Sequence, residues 1–416
     1  MSLELANQPM SIGAQPSQER SRKQNVGALV IGGDHTGLAV ARSLGRRGIP
    51  VFVIDDQHSL STYSRYVKRV ERVRDLRDPD KTVDSVLEIG RRFDLQDWVL
   101  FPTRDETVMA FALHRERLAR FFRVTTPDWE TTRVVWDKTY TYQLAEQLGI
   151  PAPRTWSVKT IDQLPTLYPR LPLAIKPAIK ENFFYATGDK AWRVDTPEQL
   201  DQLFEAASKK VKIEEILLQE IIPGGGDCQT SYCVFYRDGV AHSTLSAKRL
   251  RQHPREFGRA ATYVETVDIP GIEEFSLRFL KAINFYGIGE VEFKLDPRDG
   301  QYKLLDVNAR AWGFHGLGLV AGVDFPYLLF ADQLGYPTEP SKAKAGVGWM
   351  RILTDVPTAF MDLITRHLTL RSYVQSLRRA KTESVFTWSD PLPSIAEFVL
   401  FPYFLWRKLS HSKTQK

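Results

Sequence analysis

The chain has 416 residues, 43% of them hydrophobic and 25% charged, which is the composition of an ordinary soluble protein of two or three domains. Its formal net charge of +6 is diffuse and forms no aromatic-interleaved basic motif, so we expect no nucleic-acid partner. Two cysteines without metal-ligand spacing exclude a disulfide framework, and no apolar run is long enough to cross a bilayer.

The first predicted element with a fold signature is a βαβ unit. Residues 1–24 are polar, lack the apolar core of a signal peptide, and are predicted to be a disordered tail. Strands at 27–31 and 51–54 flank a helix at 38–47, and a glycine turn precedes that helix. Asp34 occupies the second glycine position of G-x-G-x-x-G, so the unit indicates an open parallel sheet that need not bind a nucleotide.

Polar side chains follow the next predicted strand, at 98–101. Ligands bind at the carboxyl edge of such sheets, which makes Thr103, Asp105 and Glu106 candidate substrate contacts. Capping of the helix predicted at 107–121 is the alternative role of the same residues, and it is the favoured one.

Composition changes near 125–134, where we place a domain boundary. A helix at 139–148 begins after Asp137-Lys138, and a strand at 173–177 carries Lys176 near its end. Residues 178–190 are predicted to be a mobile turn. A buried strand at 216–222 then leads into a glycine-rich segment that ends at Asp227.

A hairpin is predicted from 230–236 and 240–248, with its turn at Asp238-Gly239. The following loop, 248–259, is rich in arginine and lysine. We predict that Lys248, Arg249 and Arg255 bind an acidic substrate or a triphosphate, although a solvated charge run remains an open alternative.

Residues 289–310 give the clearest indication of a functional site. Two alternating stretches, 290–295 and 302–308, surround turn residues and predict a β-hairpin. Glu292 comes from the first strand, whereas Asp306 and Asn308 share one face of the second. These oxygen ligands, with Arg310 just beyond, suit Mg²⁺ that carries a polyphosphate. An ordinary surface hairpin with a charged face is the alternative.

Five motifs occur in one order along the chain: DKTYTYQLAEQLGIPAPRT at 137–155, LAIKPA at 173–178, LLQEIIPGGGD at 217–227, VEFKL at 291–295 and LLDVNAR at 304–310. Together they resemble the ATP-grasp superfamily, and within it the carboxylate–amine ligase branch. The resemblance covers residues 25–336.

The resemblance implies an α/β (α+β) fold with several parts. An open parallel-sheet, Rossmann-like pre-ATP-grasp domain would occupy 25–130. A two-lobed ATP-grasp domain would follow, with its small lobe at 131–215 and its large lobe, including the metal site, at 216–340. Residues 341–416 would form a C-terminal helical extension.

The resemblance also implies roles for individual residues. They are phosphate binding by Lys138 and Lys176, adenine binding by Gln219, Glu220, Ile221 and Ile222, ribose binding by Asp227, Mg²⁺ binding (or Mn²⁺) by Glu292, Asp306 and Asn308, and catalysis by Arg310 and Lys176. Two positions depart from the family pattern, because Asp306 stands where Glu is usual and Ala309 where Pro is usual.

The implied function is an ATP- and Mg²⁺-dependent ligase in the cytoplasm. It would join a small, amino-acid-like carboxylate to an amine through an acyl-phosphate and release ADP and phosphate. Three alternatives remain open: an enzyme of this fold with a thiol or hydroxyl acceptor, a dinucleotide-dependent oxidoreductase, and a non-catalytic binding protein.

The C-terminal stretch 395–406 is apolar and aromatic, and Arg407 and Lys408 follow it. It is too short to span a bilayer but has the composition of a segment that lies in the interface. Peripheral contact with the inner membrane face is therefore one open interpretation of this stretch. Packing on the catalytic body or in a homodimer is the alternative.

Overall fold

The computed structural model describes residues 26–255, 257–258 and 260–401. The predicted tail at 1–24 and the end of the C-terminal aromatic stretch, 402–416, lie outside these ranges. The described chain forms three β-sheets with helices packed around them.

The first sheet is parallel, as the βαβ pattern predicts, with strand order β3-β2-β1-β4-β5. Its strands are β1 (Ala28–Ile31), β2 (Val51–Asp55), β3 (Arg69–Arg72), β4 (Val99–Pro102) and β5 (Arg123–Val124), and its helices are α1 (His35–Gly45), α2 (Pro79–Arg92), α3 (Asp105–Leu113) and α4 (Arg115–Ala119). The single helix predicted at 107–121 is wrong, because the chain leaves the helical conformation at His114.

The second sheet is small and antiparallel, in the order β6-β9-β7-β8. It contains β6 (Thr155–Ser157), β7 (Leu173–Pro177), β8 (Trp192–Val194) and β9 (Ile216–Glu220), accompanied by α5 (Trp129–Trp136), α6 (Lys138–Gln147), α7 (Lys180–Thr187) and α8 (Pro197–Ser208). The mobile turn predicted at 178–190 is wrong. This segment contains α7, which is held by Phe183 in the core of the small sheet and is ended by Gly188 at φ 78°.

The third sheet runs β14-β13-β10-β11-β12-β16-β17, and β15 pairs with β11. Its strands are β10 (Gln229–Arg237), β11 (Val240–His253), β12 (Ala260–Thr266), β13 (Gly287–Leu295), β14 (Tyr302–Asn308), β15 (Ser341–Lys342), β16 (Gly348–Met350) and β17 (Ala380–Glu383); α9 (Pro270–Ala282), α10 (Gly316–Ala321) and α11 (Phe325–Gln333) accompany it. The predicted basic loop is wrong in its first half, because β11 continues to His253.

The C-terminal segment contains α12 (Ile352–Ile364), α13 (Leu370–Arg379) and a helix at 392–401. The C-terminal extension was predicted to be helical, but it also contains strands, because β15, β16 and β17 join the large sheet. Within the described ranges no helix has the length and apolar character needed to cross a membrane.

One apolar core joins the parallel sheet to the large sheet. Val30 and Val53 from the first pack in the same cluster as Phe235, Trp312 and Trp349. This packing brings the carboxyl edge of the parallel sheet close to the end of the β13–β14 hairpin, and a cavity lies there.

Candidate active site

A cavity of about 580 Å³ is lined by all three sheets. All of the predicted site residues line it except Asp227 and Lys248. Asp227 is an exposed residue of a short turn before β10. Lys248 is a strand residue next to Arg249, and neighbours in a strand point to opposite faces. The structure therefore does not bring these two together with the rest.

The β13–β14 hairpin forms one wall of the cavity. Phe293 pairs with Leu304, and the register then shifts by one residue at Leu305, which regular pairing from the turn would not give. Glu292 pairs with Asp306, and Glu290 pairs with Asn308. Because residues two apart share a face, four oxygen-bearing side chains project on one side of the hairpin. Asn308 Nδ2 donates to Glu290 Oε2 at 3.1 Å and to Glu292 Oε1 at 3.0 Å, which confirms that the side chains meet.

The donor set of this hairpin fits a hard divalent cation. Glu292 and Asp306 supply carboxylates and Asn308 an amide oxygen, and such ligands suit Mg²⁺. The part of the chain that the structure describes holds no group of three or more His, Cys, Asp or Glu side chains arranged for a metal ion. A metal here would therefore take its remaining ligands from water and phosphate, as Mg²⁺ commonly does.

Asp306 is paired with Lys138, the first residue of α6, through a short hydrogen bond from Nζ to Oδ1. Lys138 is buried, and burial alone would favour its neutral form, yet the Asp306 carboxylate raises the pKa of the lysine above its ordinary value. Both groups are thus held charged at the floor of the cavity, where a phosphate would meet a fixed ammonium.

Arg310 grips Asp105 with two hydrogen bonds, Nε to Oδ1 at 2.5 Å and Nη2 to Oδ2 at 2.8 Å. Lys180, at the start of α7, donates to the same carboxylate at 2.6 Å. Burial would raise the pKa of Asp105, but the two cations hold that pKa well below its usual range. Asp105 therefore links three parts of the fold. It lies at the carboxyl edge of the parallel sheet and binds Lys180 beside the small sheet and Arg310 beyond the hairpin.

Asp105→Asn is expected to lower the free energy of unfolding by about 2–3 kcal/mol, because it leaves two half-buried cations, Arg310 and Lys180, facing each other without their shared carboxylate. The measurement is urea unfolding near neutral pH. Asp84→Asn is the matched control, since Asp84 pairs with Arg117 on the surface and should change the same free energy by less than about 1 kcal/mol. Equal losses in the two variants would contradict the central role of Asp105.

Lys176 reaches the cavity from β7 and is oriented by two neighbours. Its Nζ donates to Tyr142 Oη at 3.0 Å and to Gln219 Oε1 at 3.3 Å. The Gln219 side chain is therefore engaged with the lysine, while Ile221 and Ile222 add apolar surface to the cavity. Glu220 also accepts from the backbone of Arg154, at 2.9 Å.

The residues suggested as substrate contacts differ in what their side chains do. Arg249 lines the cavity and donates to Glu292 Oε2 at 3.2 Å, while its buried Nε has no partner within the described residues. Arg255 also lines the cavity. Thr103 donates to the backbone oxygen of Ile31 at 2.9 Å, so it connects β4 to β1 as well as lining the cavity.

Several cavity residues on α7 and the following turn were missed from sequence. Lys180, Glu181 and Tyr185 lie in the segment interpreted as a mobile turn, and Tyr185 donates to Glu106 Oε1 at 2.7 Å. A usable signal was present: eight residues without Gly or Pro, an apolar Phe183, and Gly188 as a stop.

Two buried carboxyls of the cavity have pKa values raised into the neutral range. Desolvation, with the Asp105 charge added, raises the pKa of Glu181 to about 7. Desolvation and the neighbouring Glu292 raise the pKa of Glu290 to about 8. Groups of this kind can exchange protons near neutral pH.

Two acidic residues at the end of β2, Asp55 and Asp56, bind groups of the protein itself. Asp55 accepts from the backbone N–H of Gly33 at 2.7 Å and from Arg104 at 2.6 Å, and Arg104 also binds Asp56 at 2.8 Å. A dinucleotide would need that glycine turn for its phosphates and the acid for its ribose. The oxidoreductase alternative is therefore not supported.

No protein-family model matches this sequence. The chain is similar to the D-aspartate ligase of Enterococcus faecium strain Aus0004, with 23% identity over 307 residues, which are 68% of this chain and 70% of that protein. Its fold is also similar to that of an L-amino acid ligase from Bacillus licheniformis, with a TM-score of 0.60 and 18% identity over 76% of this chain and 75% of the other.

Two solved complexes with nucleotide share the fold. The N5-carboxyaminoimidazole synthetase of Staphylococcus aureus complexed with ADP has a TM-score of 0.62 and 14% identity, covering 82% of this chain and 86% of that one. The biotin carboxylase domain of Hydrogenobacter thermophilus 2-oxoglutarate carboxylase, solved with MgADP and bicarbonate, has a TM-score of 0.61 and 13% identity, covering 77% and 73%. The predicted α/β architecture is confirmed by these similarities.

Proposed function

We propose that this chain, which has the ATP-grasp fold of the carboxylate–amine ligases, uses ATP to join a carboxylate to an amine and releases ADP and phosphate. The observation that supports this most strongly is the arrangement of the cavity. Metal-type oxygen ligands, two phosphate-type lysines and a paired arginine face one space, in the chain order that the resemblance implies. A pure binding protein has no need of this full set.

In the proposed reaction the substrate carboxylate attacks the γ-phosphate of ATP and forms an acyl-phosphate. Lys138 and Lys176 would hold the phosphates by charge, and Glu292, Asp306 and Asn308 would hold Mg²⁺. When bound, Mg²⁺ neutralises phosphate oxygens and acts as a Lewis acid. Because phosphoryl transfer depends mainly on alignment and charge neutralisation, fixed cations suffice for this step. Mn²⁺ prefers similar ligands and could replace Mg²⁺.

Arg310 is proposed to bind the transferred phosphate and the acyl oxygen. Its planar guanidinium already grips the Asp105 carboxylate with two hydrogen bonds. That bidentate geometry is the one an arginine uses for a carboxylate or phosphate. A substrate anion would therefore compete with Asp105 for Arg310 and Lys180.

Glu181 is proposed to accept the proton of the incoming amine. An ammonium has no lone pair, so it must lose a proton before it attacks the acyl carbon and displaces phosphate. Glu181 lines the cavity, and its Oε1 lies 3.7 Å from Lys180 Nζ, which binds the same Asp105 as Arg310. Glu181 thus stands beside the groups assigned to the acyl-phosphate.

The similarity to a D-aspartate ligase and an L-amino acid ligase supports small, amino-acid-like substrates. Adenine binding by residues 219–222 is part of this proposal. The assignment of Asp227 to the ribose is not, since that residue lies outside the cavity wall. A cytoplasmic location and a homodimer stay predictions.

The direct experiment is an ADP-release screen of the purified full chain with ATP and Mg²⁺. Amino acids and small carboxylates are offered singly and in pairs, and the products are identified by mass. We expect at least one pair to yield ADP, phosphate and an amide together. The proposal fails if no pair releases ADP above the substrate-free control, or if ADP appears without a condensed product.

A further inference from the structure

An apolar stripe on α12 faces away from the protein. Ile352, Val356, Phe360 and Ile364 follow one another at intervals of four and are all exposed, Phe360 and Ile364 at 61% each. This spacing puts them on one side of the helix. The opposite side contains the buried Asp355, which is bound by Arg251 of β11 at 2.8 Å. One face of α12 is therefore anchored to the large sheet, and the apolar face is exposed to solvent.

The neighbouring C-terminal helices add to this surface. Leu370, Val374 and Leu377 are exposed on α13, and on the helix at 392–401 Val399 is exposed at 71%. The side chain of Arg351, just before α12, donates to Glu397 at 2.8 Å, which ties the last helix to the start of α12. Arg251 also donates to Ser376 of α13 at 3.0 Å, so the same arginine anchors both α12 and α13. Exposed apolar residues on neighbouring helices mark a candidate interaction site.

The exposed charges around these helices are mainly basic. Those from the end of α12 into β17 are Arg366, Arg371, Arg378, Arg379 and Lys381, of which Arg379 is paired with Glu265 at 2.8 Å. The acidic residues nearby are engaged, Asp355 by Arg251 and Asp362 at 3.9 Å from Arg255. From residue 401 the sequence reads FPYFLWRKL, which again combines aromatic and basic residues.

We propose that the exposed faces of α12, α13 and helix 392–401 dock the protein on the surface of an anionic lipid bilayer. Apolar side chains with a basic surround match the acyl boundary and the headgroups of such a surface. A second copy of the chain fits less well, because a symmetric contact would bring two basic surrounds together. Asp362 also places α12 next to Arg255, so the bilayer would lie beside the wall of the main cavity.

The test is pelleting of the full chain with two kinds of vesicle, one of phosphatidylcholine alone and one that also contains phosphatidylglycerol. We expect pelleting with the anionic vesicles that weakens as salt is added. Phe360→Glu/Ile364→Glu should reduce the bound fraction by about tenfold or more, since it places two charges against lipid. Val240→Glu is the matched control, because Val240 is exposed at 60% on the β10–β11 turn and should bind like the wild type.

Three results would overturn the proposal: no pelleting of the wild type, equal pelleting of the double variant, or loss in the control as well. If Phe360→Glu/Ile364→Glu instead converts a lipid-free dimer to a monomer in sedimentation, a second copy covers this face. Removal of 402–416 that abolishes binding while the double variant binds normally would assign the contact to the C-terminal end. Melting temperatures check folding, and none of these results requires ligase activity.

Discussion

Glu292→Gln is expected to lower ADP formation by about a hundredfold or more while leaving the protein folded. The amide keeps the shape of the side chain and can still accept the hydrogen bond from Asn308 Nδ2. It removes one of the two carboxylates that we assign to the metal, and with it several kcal/mol of charge stabilisation of the transferring phosphate, on the order expected for metal-assisted steps. The measurement is ADP release at saturating substrates across a Mg²⁺ titration.

A control for this variant lies on the same hairpin. Asp299→Asn removes a carboxylate at the exposed turn, where Asp299 pairs with Lys303, at 2.6 Å, and accepts from the backbone N–H of Gln301. It should leave ADP formation within about twofold of the wild type. Full activity in Glu292→Gln would refute the metal assignment.

Asp306→Asn should also abolish ADP formation, but it is the less clean test. Lys138 is buried against Asp306, and the substitution leaves that ammonium without its carboxylate. Breaking a buried pair costs stability in its own right. Activity and unfolding must therefore be measured together for this variant, whereas Glu292 is paired by the more distant Arg249, at 3.2 Å.

The existence of the hairpin could be predicted from sequence, because its alternating strands and the turn residues Asp296 to Gly300 are local signals. Its exact register could not, since the shift at Leu305 brings Glu292 opposite Asp306 and no local pattern indicates it. The parallel sheet was predictable from local signals too. The position of Lys176 near the end of a strand could be predicted because the apolar residues of β7 precede it.

Elsewhere tertiary contacts override local pattern. The helix α7 was missed because Gly188 suggested a turn, and what stabilises α7 is Phe183 in a core assembled from distant strands. The strand β11 extends through Lys248 and Arg251 although charged residues are uncommon in strands, because Arg251 finds Asp355 about a hundred residues later. The link from Asp105 to Arg310 is likewise invisible at the level of motifs.

Glu181→Gln is expected to slow transfer to an amine by about a hundredfold to ten-thousandfold, the range for loss of a general base. The pKa of Glu181 is raised to about 7, mainly by desolvation, and only the carboxylate form accepts a proton. The wild-type rate with an amine acceptor should therefore rise with pH through about 7 and level off above it. The variant should lose this rise, and Glu181→Asp should restore part of it.

Hydroxylamine separates the role of Glu181 from a merely structural one. It is uncharged at neutral pH and attacks an acyl-phosphate without a base, giving a hydroxamate. Glu181→Gln should therefore form the hydroxamate at nearly the wild-type rate while amide formation falls, because the acyl-phosphate still forms at Arg310 and the lysines. Parallel loss of both products would mean that Glu181 shapes the cavity, or acts with Asp105 and Lys180 in phosphoryl transfer, and does not accept the amine proton.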